Sequence, residues 1–442
     1  MLKSNIAWMK KNVPSDLKVW KGMIQDIDWS QVAAKAKLSL QRDKDRITAE
    51  FKEFAAMDTS AKIDWLMNGD RHLGYLYKKD AIAFARREWK GLKSVGYDFV
   101  GWLKIWGGML NMVMKDPMSI MLAVFEYHWF ASYLATPAVV DRSVFGLRGK
   151  LLQADFDMWV AITHWAEDLI ANLIMADAKI GGNQKINKRI IMFDEMTMAQ
   201  MMAGFPNLLG IPYQMIPVFM VSEMDQLTLI PYIDAIESYG LPSDTCPLPT
   251  AECGCAVKDE YPMCGQGFIA SSMPCDGSVM ATSFQDRRFS KFMPSYPLCM
   301  PVRYDDEDTT EMAAADMKDC IHWVEGLTGE TWNWDTYFAT MEKMNECTRL
   351  EMEKWEINKT HYPQLVGSSF ELFRKWNYEM DGGLFPEGLK TQRKICKTMM
   401  ETYEKKLPAY VGGYEKYRAL IWSCPAHFYA NFSNWLANCW GV

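Results

Sequence analysis

No cysteine occurs before Cys246, and all eleven fall between it and Cys439. An odd count in a long chain argues against a disulfide framework. Residues 1–20 lack an apolar core and a small-residue cleavage site, so no secretory leader is expected and a cytoplasmic location follows. No block of Lys or Arg stands out and the formal net charge is -7, which gives no basis for nucleic-acid binding. The longest apolar stretch, Met118–Val140, is interrupted by Glu126, His128 and Pro137. A membrane span there would bury a carboxylate at high cost, so a helix within a helical domain is expected and no membrane contact. Paired C-x2-C units, bacterial ferredoxin spacing and a fixed-period repeat are also missing.

The chain has 442 residues, 49% of them hydrophobic, enough for two or three domains with real cores. It is rich in Met and Trp, with 33 and 18, and the Met content reads as adaptable core material. The first 188 residues read as mostly helical. Ala81–Lys93 and Phe156–Ala176 carry apolar residues at three- and four-residue spacing, and Gly181-Gly182-Asn183 marks a loop. No recognisable catalytic motif occurs in this block, and His72, His128 and His164 are expected in or on helices rather than as ligands.

The character changes near Lys188. Arg189–Phe193 is a short apolar run, followed by a helical stretch to Gly204. Ile211–Val221, β-branched with prolines, reads as a strand and its approach. Pro231–Tyr239 reads as a helix stopped by Gly240. Strand-like runs at Gly267–Ala270 and Pro297–Val302 flank a helix over Val279–Phe289. This alternation predicts a parallel α/β layer. After the acidic loop Asp305–Asp308, an amphipathic helix places Ala313, Met317, Cys320, Ile321, Val324 and Leu327 on one face and ends at Gly329. The next helix starts at Trp334 with Trp334, Phe338 and Met341 on a shared face, and helical patterning continues to about Lys406. Tyr417–Ser423 reads as a strand and Pro425–Asn438 as the helix after it.

Two motifs carry the chemical signal. They are Gly240-Leu241-Pro242-Ser243-Asp244-Thr245-Cys246 and Ser271-Ser272-Met273-Pro274-Cys275-Asp276-Gly277. Each sets a cysteine in a Pro/Gly/Ser-rich turn, and the second lies between a strand and a helix. In an open α/β sheet such turns form the ligand-binding edge, and a helix N-terminus favours the thiolate that metals require. Spacing alone leaves a cluster and inert core cysteines equally open. Cys253, Cys255 and Cys264 could form a zinc-type or altered site, with packing or loop roles as the plainer alternative. Cys299, Cys320, Cys347 and Cys396 read as core, and Asp276 as a cap for the helix that follows it. His322 and His427 have no evident ligand partner.

These features resemble, in order, the family of 2-hydroxyacyl-CoA dehydratases and benzoyl-CoA reductases. The Cys246 motif with its helix-like continuation Pro247–Val257 resembles the first cluster-ligand segment, and Ser272–Gly277 the second. Leu298–Asp305, Val324–Gly329, Trp334-Asp335, Asn345 and Arg418–Trp422 resemble later family segments. The resemblance runs from Arg189 to Val442 and leaves residues 1–188 as a helical extension. It implies a Rossmann- or flavodoxin-like parallel α/β domain over 189–415 with a helical insertion at 313–406. The start of a second α/β domain follows at 416–442.

The resemblance further implies an oxygen-sensitive, two-subunit enzyme holding a [4Fe–4S] cluster. Its activity would be elimination of water from a 2-hydroxyacyl-CoA through a ketyl radical, giving an enoyl-CoA. An ATP-dependent activator protein would supply the electron, and a second homologous subunit would complete the complex. A benzoyl-CoA reductase-like subunit and a non-catalytic partner subunit are the alternatives. Residue by residue, Cys246 and Cys275 match the first two cluster ligands. The family's third ligand falls beyond Val442, which leaves Cys424 as a substitute within this chain.

Overall fold

The computed structural model describes residues 54–68, 92–144, 149–194, 199–224, 226–242, 245–272, 276–289, 291–299, 301, 306–364 and 383–406, with a few single positions besides. The segment 416–442, with the strand and helix expected there, lies outside the described residues. So do His72, His427 and residues 81–91.

The first part is helical, as its periodicity predicts: α1 Thr59–Asn68, α2 Leu92–Lys115, α3 Pro117–Glu126, α4 Thr136–Ser143 and α5 Gly149–Ala176. The apolar stretch from Met118 to Val140 does not form one helix. Asp116 caps α3 by accepting from the Ser119 amide at 3.1 Å, and Tyr127 turns extended and ends it. A 3-10 segment, His128–Ala135, then leads into α4. No helix among the described residues is long and apolar enough to cross a membrane.

Four short strands follow: β1 Ile190–Phe193, β2 Leu209–Pro212, β3 Gly267–Ser271 and β4 Ser295–Leu298. All pairings are parallel, in the order β2-β1-β3-β4. This is the strand order of a flavodoxin-like doubly wound sheet, with its topological switch between β1 and β3. Alternate residues serve opposite faces. Ile190, Met192, Phe268 and Ala270 join the large core with the N-terminal helices. Ile191, Phe193, Ile269 and Leu298 join a second core with Cys320, Val324 and Trp332. Both faces are covered, as parallel sheets require.

Between and after the strands lie α6 Ile230–Glu237, α7 Pro247–Val257, α8 Asp276–Phe289, α9 Glu307–Thr328, α10 Trp334–Asn358 and α11 Pro386–Glu404. The molecule is thus mostly helical around a small parallel sheet, an α/β fold. α9 begins at Asp306, which accepts from the Thr309 amide at 2.6 Å. It ends at Gly329, whose φ of 77° closes the helix in a left-handed conformation suited to glycine.

Two expectations need correction. The run from Ile211 to Val221 is strand only through Pro212; Met215–Phe219 and Met220–Met224 are helical. Residues 215–221 are buried throughout, so an apolar run without periodicity could not separate buried strand from buried helix. The strand expected at Pro297–Val302 is Ser295–Leu298. It stops where the Cys299 amide leaves the ladder and donates to Asp316 Oδ2 at 2.6 Å. On α10 the Trp334 and Phe338 face is the outer one. Trp334 and Phe338 stack on each other at the surface, while Thr340, Met344, Cys347 and Ile357 are buried.

Candidate functional site

The candidate site is the edge of the sheet at the C-terminal ends of β1, β3 and β4. Asp194 directly follows β1 and is buried. Its Oδ2 accepts from the Ser271 amide at 2.5 Å and from the Ser271 hydroxyl at 3.0 Å. This pins the end of β3 to the end of β1 at the switch point. Beyond it, just before the 273–275 link, the Ser272 amide donates to the Leu298 carbonyl at 3.0 Å. Cys275 lies in that link, outside the described residues. Asp194 went unmarked in the sequence, although an acid directly after an apolar strand is the signal for it.

Cys246 sits at the start of α7. Pro247 occupies the first turn, where the missing amide hydrogen costs nothing. Thr250 closes the turn by donating its hydroxyl to the Cys246 carbonyl at 2.8 Å. Cys246 is exposed.

Helices α7 and α8 run side by side in the same direction. Midway along them, Cys253 and Ala281 share one small cluster. At their far ends, Arg288 near the end of α8 donates to the carbonyls of Asp259 and Tyr261 just beyond α7, at 3.3 and 2.7 Å. Arg288 also pairs with Asp259 Oδ1 at 2.6 Å. Counting back from the midpoint, Cys246 lies about two turns away and Asp276, the first residue of α8, about one and a half. The beginnings of both helices therefore stand at the same end of the pair.

The other thiols divide clearly. Cys253, Cys255 and Cys264 are buried. Burial pushes the Cys253 thiol up to about 12 and raises Cys255 and Cys264 well above the ordinary thiol value. Cys255 and Cys264 pack in the main core while Cys253 faces Ala281, so the three do not form one site. Gly254 explains their spacing. A Cβ there would lie 1.8 Å from the Tyr232 carbonyl oxygen, so Cys253-Gly254-Cys255 is where α7 meets the backbone of α6. Cys320, Cys347 and Cys396 are buried as expected.

Cys299 is the exception. It is exposed, not core, because it follows the last residue of β4 at the same edge as Ser272. No group of three or more His, Cys, Asp or Glu side chains among the described residues is arranged to hold a metal ion. Cys424 and Cys439 lie outside them. Of the histidines, His164 meets Glu387 at 3.0 Å and His322 meets Glu325 at 2.9 Å, both as surface pairs.

Behind the site, a buried polar network joins the N-terminal helices to the loop before β3. Asp177 accepts from the Tyr127 hydroxyl, and from the amides of Met263 and Lys179 at 2.8 and 3.1 Å. Burial raises its carboxyl to about 6 despite these donors. The Tyr213 hydroxyl donates to the Pro262 carbonyl at 2.6 Å. Gln214 and Gln285 pair at 2.7 Å, and Gln285 reaches the Tyr261 hydroxyl at 3.0 Å.

Residues 226–442 fit the family model described as 2-hydroxyglutaryl-CoA dehydratase, D-component. The match begins after β1 and β2, so those strands and the N-terminal helices lie outside it. No curated protein matches the chain.

Proposed function

Residues 226–442 belong to the 2-hydroxyglutaryl-CoA dehydratase D-component family, and on that premise we propose that this chain is a component of a 2-hydroxyacyl-CoA dehydratase. The proposed reaction eliminates water from a 2-hydroxyacyl-CoA: hydroxide leaves the α-carbon, a proton leaves the β-carbon, and an enoyl-CoA forms. The observation that carries the reading is the shared end of α7 and α8. It sets Cys246 and Asp276, the residue that follows Cys275 in sequence, at the C-terminal edge of a doubly wound sheet, where such folds bind ligands.

Cys246 and Cys275 are the thiolates we assign to a [4Fe–4S] cluster. Cys246 suits the task, being exposed and at a helix start. The buried thiols do not, since each would have to lose a proton that burial retains. Cys299 is the described thiol best placed to join them, ahead of Cys424. When bound, such a cluster would supply an open iron as a Lewis acid and a low-potential route for the single electron that a ketyl-radical elimination requires. The chain's own contribution is positional. Asp194 holds Ser271, and the Leu298 carbonyl holds the amide of Ser272.

The organisation that goes with this reading has three parts: helical residues 1–188, an α/β domain over 189–415 and the start of a second over 416–442. The partners are a second homologous subunit and an ATP-dependent activator as electron donor, with an acyl-CoA thioester as substrate and the cytoplasm as location. Ring reduction of an aryl-CoA thioester is an alternative that the same site would serve.

The test is anaerobic purification followed by iron and sulfide analysis. About four irons and four sulfides per complex, lost on exposure to air, are expected. Cys246→Ala and Cys275→Ala should each abolish them, whereas Cys255→Ala should retain them. Stoichiometric zinc, or iron that survives both substitutions, would overturn the assignment.

A further inference from the structure

Helix α2 is apolar on both of its faces. Its inner face sends Ile105 and Met112 into the main core. Its outer face carries Leu92, Phe99, Leu103, Trp106, Leu110 and Met114, each more than half exposed. Leu92, Leu103 and Met114 recur every eleven residues, as do Phe99 and Leu110. An eleven-residue repeat has about 3.67 residues per turn, close to that of a straight α-helix. The stripe therefore runs almost parallel to the helix axis for about 33 Å. A helix hydrophobic all round is ordinarily buried, and soluble monomers rarely expose so continuous a patch.

We propose that this face is the interface of a two-fold dimer of this chain, with the two α2 helices antiparallel and meeting at Leu103. Two observations select a second copy. The first is size. These six side chains offer on the order of 800 Å² of apolar surface, matching the roughly 800 Å² that each partner buries in a stable complex. The second is self-complementarity. Gly96 and Gly107 lie on the same face, and a Cβ at either would meet nothing within 4 Å. In an antiparallel pair centred on Leu103, Gly96 lies opposite Leu110 of the partner subunit and Phe99 opposite Gly107 of the partner subunit. Leu92 lies opposite Met114 of the partner subunit. Each glycine thus receives a bulky side chain, while Leu103 meets its own copy and Trp106 lies opposite Val100 of the partner subunit.

Charge is consistent with this pairing. The only acid of α2, Asp98, is buried. Lys93 and Lys104 lie on one flank of the stripe, and Lys115 pairs with Asp168. A lysine flank would also suit an anionic lipid surface. The chain's net charge of -7 opposes that occupant, and a bilayer gives no role to glycines spaced to face bulky residues. The proposal stands independently of the dehydratase reading.

The test is the mass of the full chain, purified alone, by light scattering at micromolar concentration. Twice 50.9 kDa is expected for the unaltered chain. The double variant Leu103→Glu/Leu110→Glu should have the mass of one chain and an unchanged far-ultraviolet dichroism spectrum, because both side chains are exposed. Under mild oxidation, Leu103→Cys should give at least about tenfold more disulfide-linked dimer than Leu92→Cys, since only residues near the two-fold come within disulfide reach of themselves. A single-chain mass for the unaltered protein, a doubled mass that survives the double variant, or equal cross-linking at both positions would each overturn the proposal. So would a single-chain mass together with sedimentation on vesicles of anionic phospholipid, which would assign the stripe to a membrane surface.

Discussion

At the scale of single residues, Asp177 shows how burial and hydrogen bonding compete. Three donors favour its carboxylate, yet removal from water dominates and raises the group from 3.8 to about 6. Between those values the folded chain holds a proton that the unfolded chain has released. This group's contribution to stability is therefore fully present below 3.8 and is lost as pH rises through about 6. Urea unfolding should show the unaltered protein gaining on the order of 1 kcal/mol relative to Asp177→Asn between about pH 7.5 and about pH 5. A pH-independent difference would place the proton elsewhere. Asp194 gives a second expectation. Asp194→Ala leaves the buried Ser271 amide and hydroxyl without their acceptor, so a loss of about 1–3 kcal/mol in urea unfolding is expected.

Among elements, the crossing of α6 and α7 has the least tolerance. Gly254 lets the two backbones touch, and Gly254→Ala sets a methyl group 1.8 Å from the Tyr232 carbonyl oxygen. The helices must separate, at a cost of about 1–3 kcal/mol, measurable as a lower urea midpoint at constant slope. The sequence shows Cys253-Gly254-Cys255 as a spacing too tight for a metal pair, but it cannot show the carbonyl that the glycine meets. Helices were legible where periodicity met a cap, as in α9 between Asp306 and Gly329. They were not legible in Met215–Met224, where burial on every side removes the period. The end of β4 was missed because a side chain of α9, Asp316, takes the amide of Cys299, and no local pattern encodes that contact. For the same reason Cys299 read as core.

Over the whole molecule, the N-terminal helices and the helical insertion form one core with the sheet. Trp165 of α5 meets Trp376 edge-on at 5.8 Å, Lys394 of α11 pairs with Asp157 at 2.6 Å, and Ile105, Phe268, Ile357 and Met399 belong to the same cluster. Trp376→Ala should therefore lower stability by about 3–5 kcal/mol, seen as an earlier unfolding transition by circular dichroism. The helix that starts at Cys246 and the parallel α/β layer were legible in the sequence, because helix-start chemistry and strand-helix alternation are local. The packing of α5 against α11 was not, since it joins residues more than two hundred positions apart. The central claim is that the Cys246 turn and the Cys275 link come together at one end of the α7–α8 pair. Its most direct test is reaction of the metal-free, reduced protein with dibromobimane, a short bifunctional thiol reagent that fluoresces only when both of its ends have reacted. A fluorescent product joining the peptides of Cys246 and Cys275 is predicted, and separate single labelling of the two thiols would contradict the account.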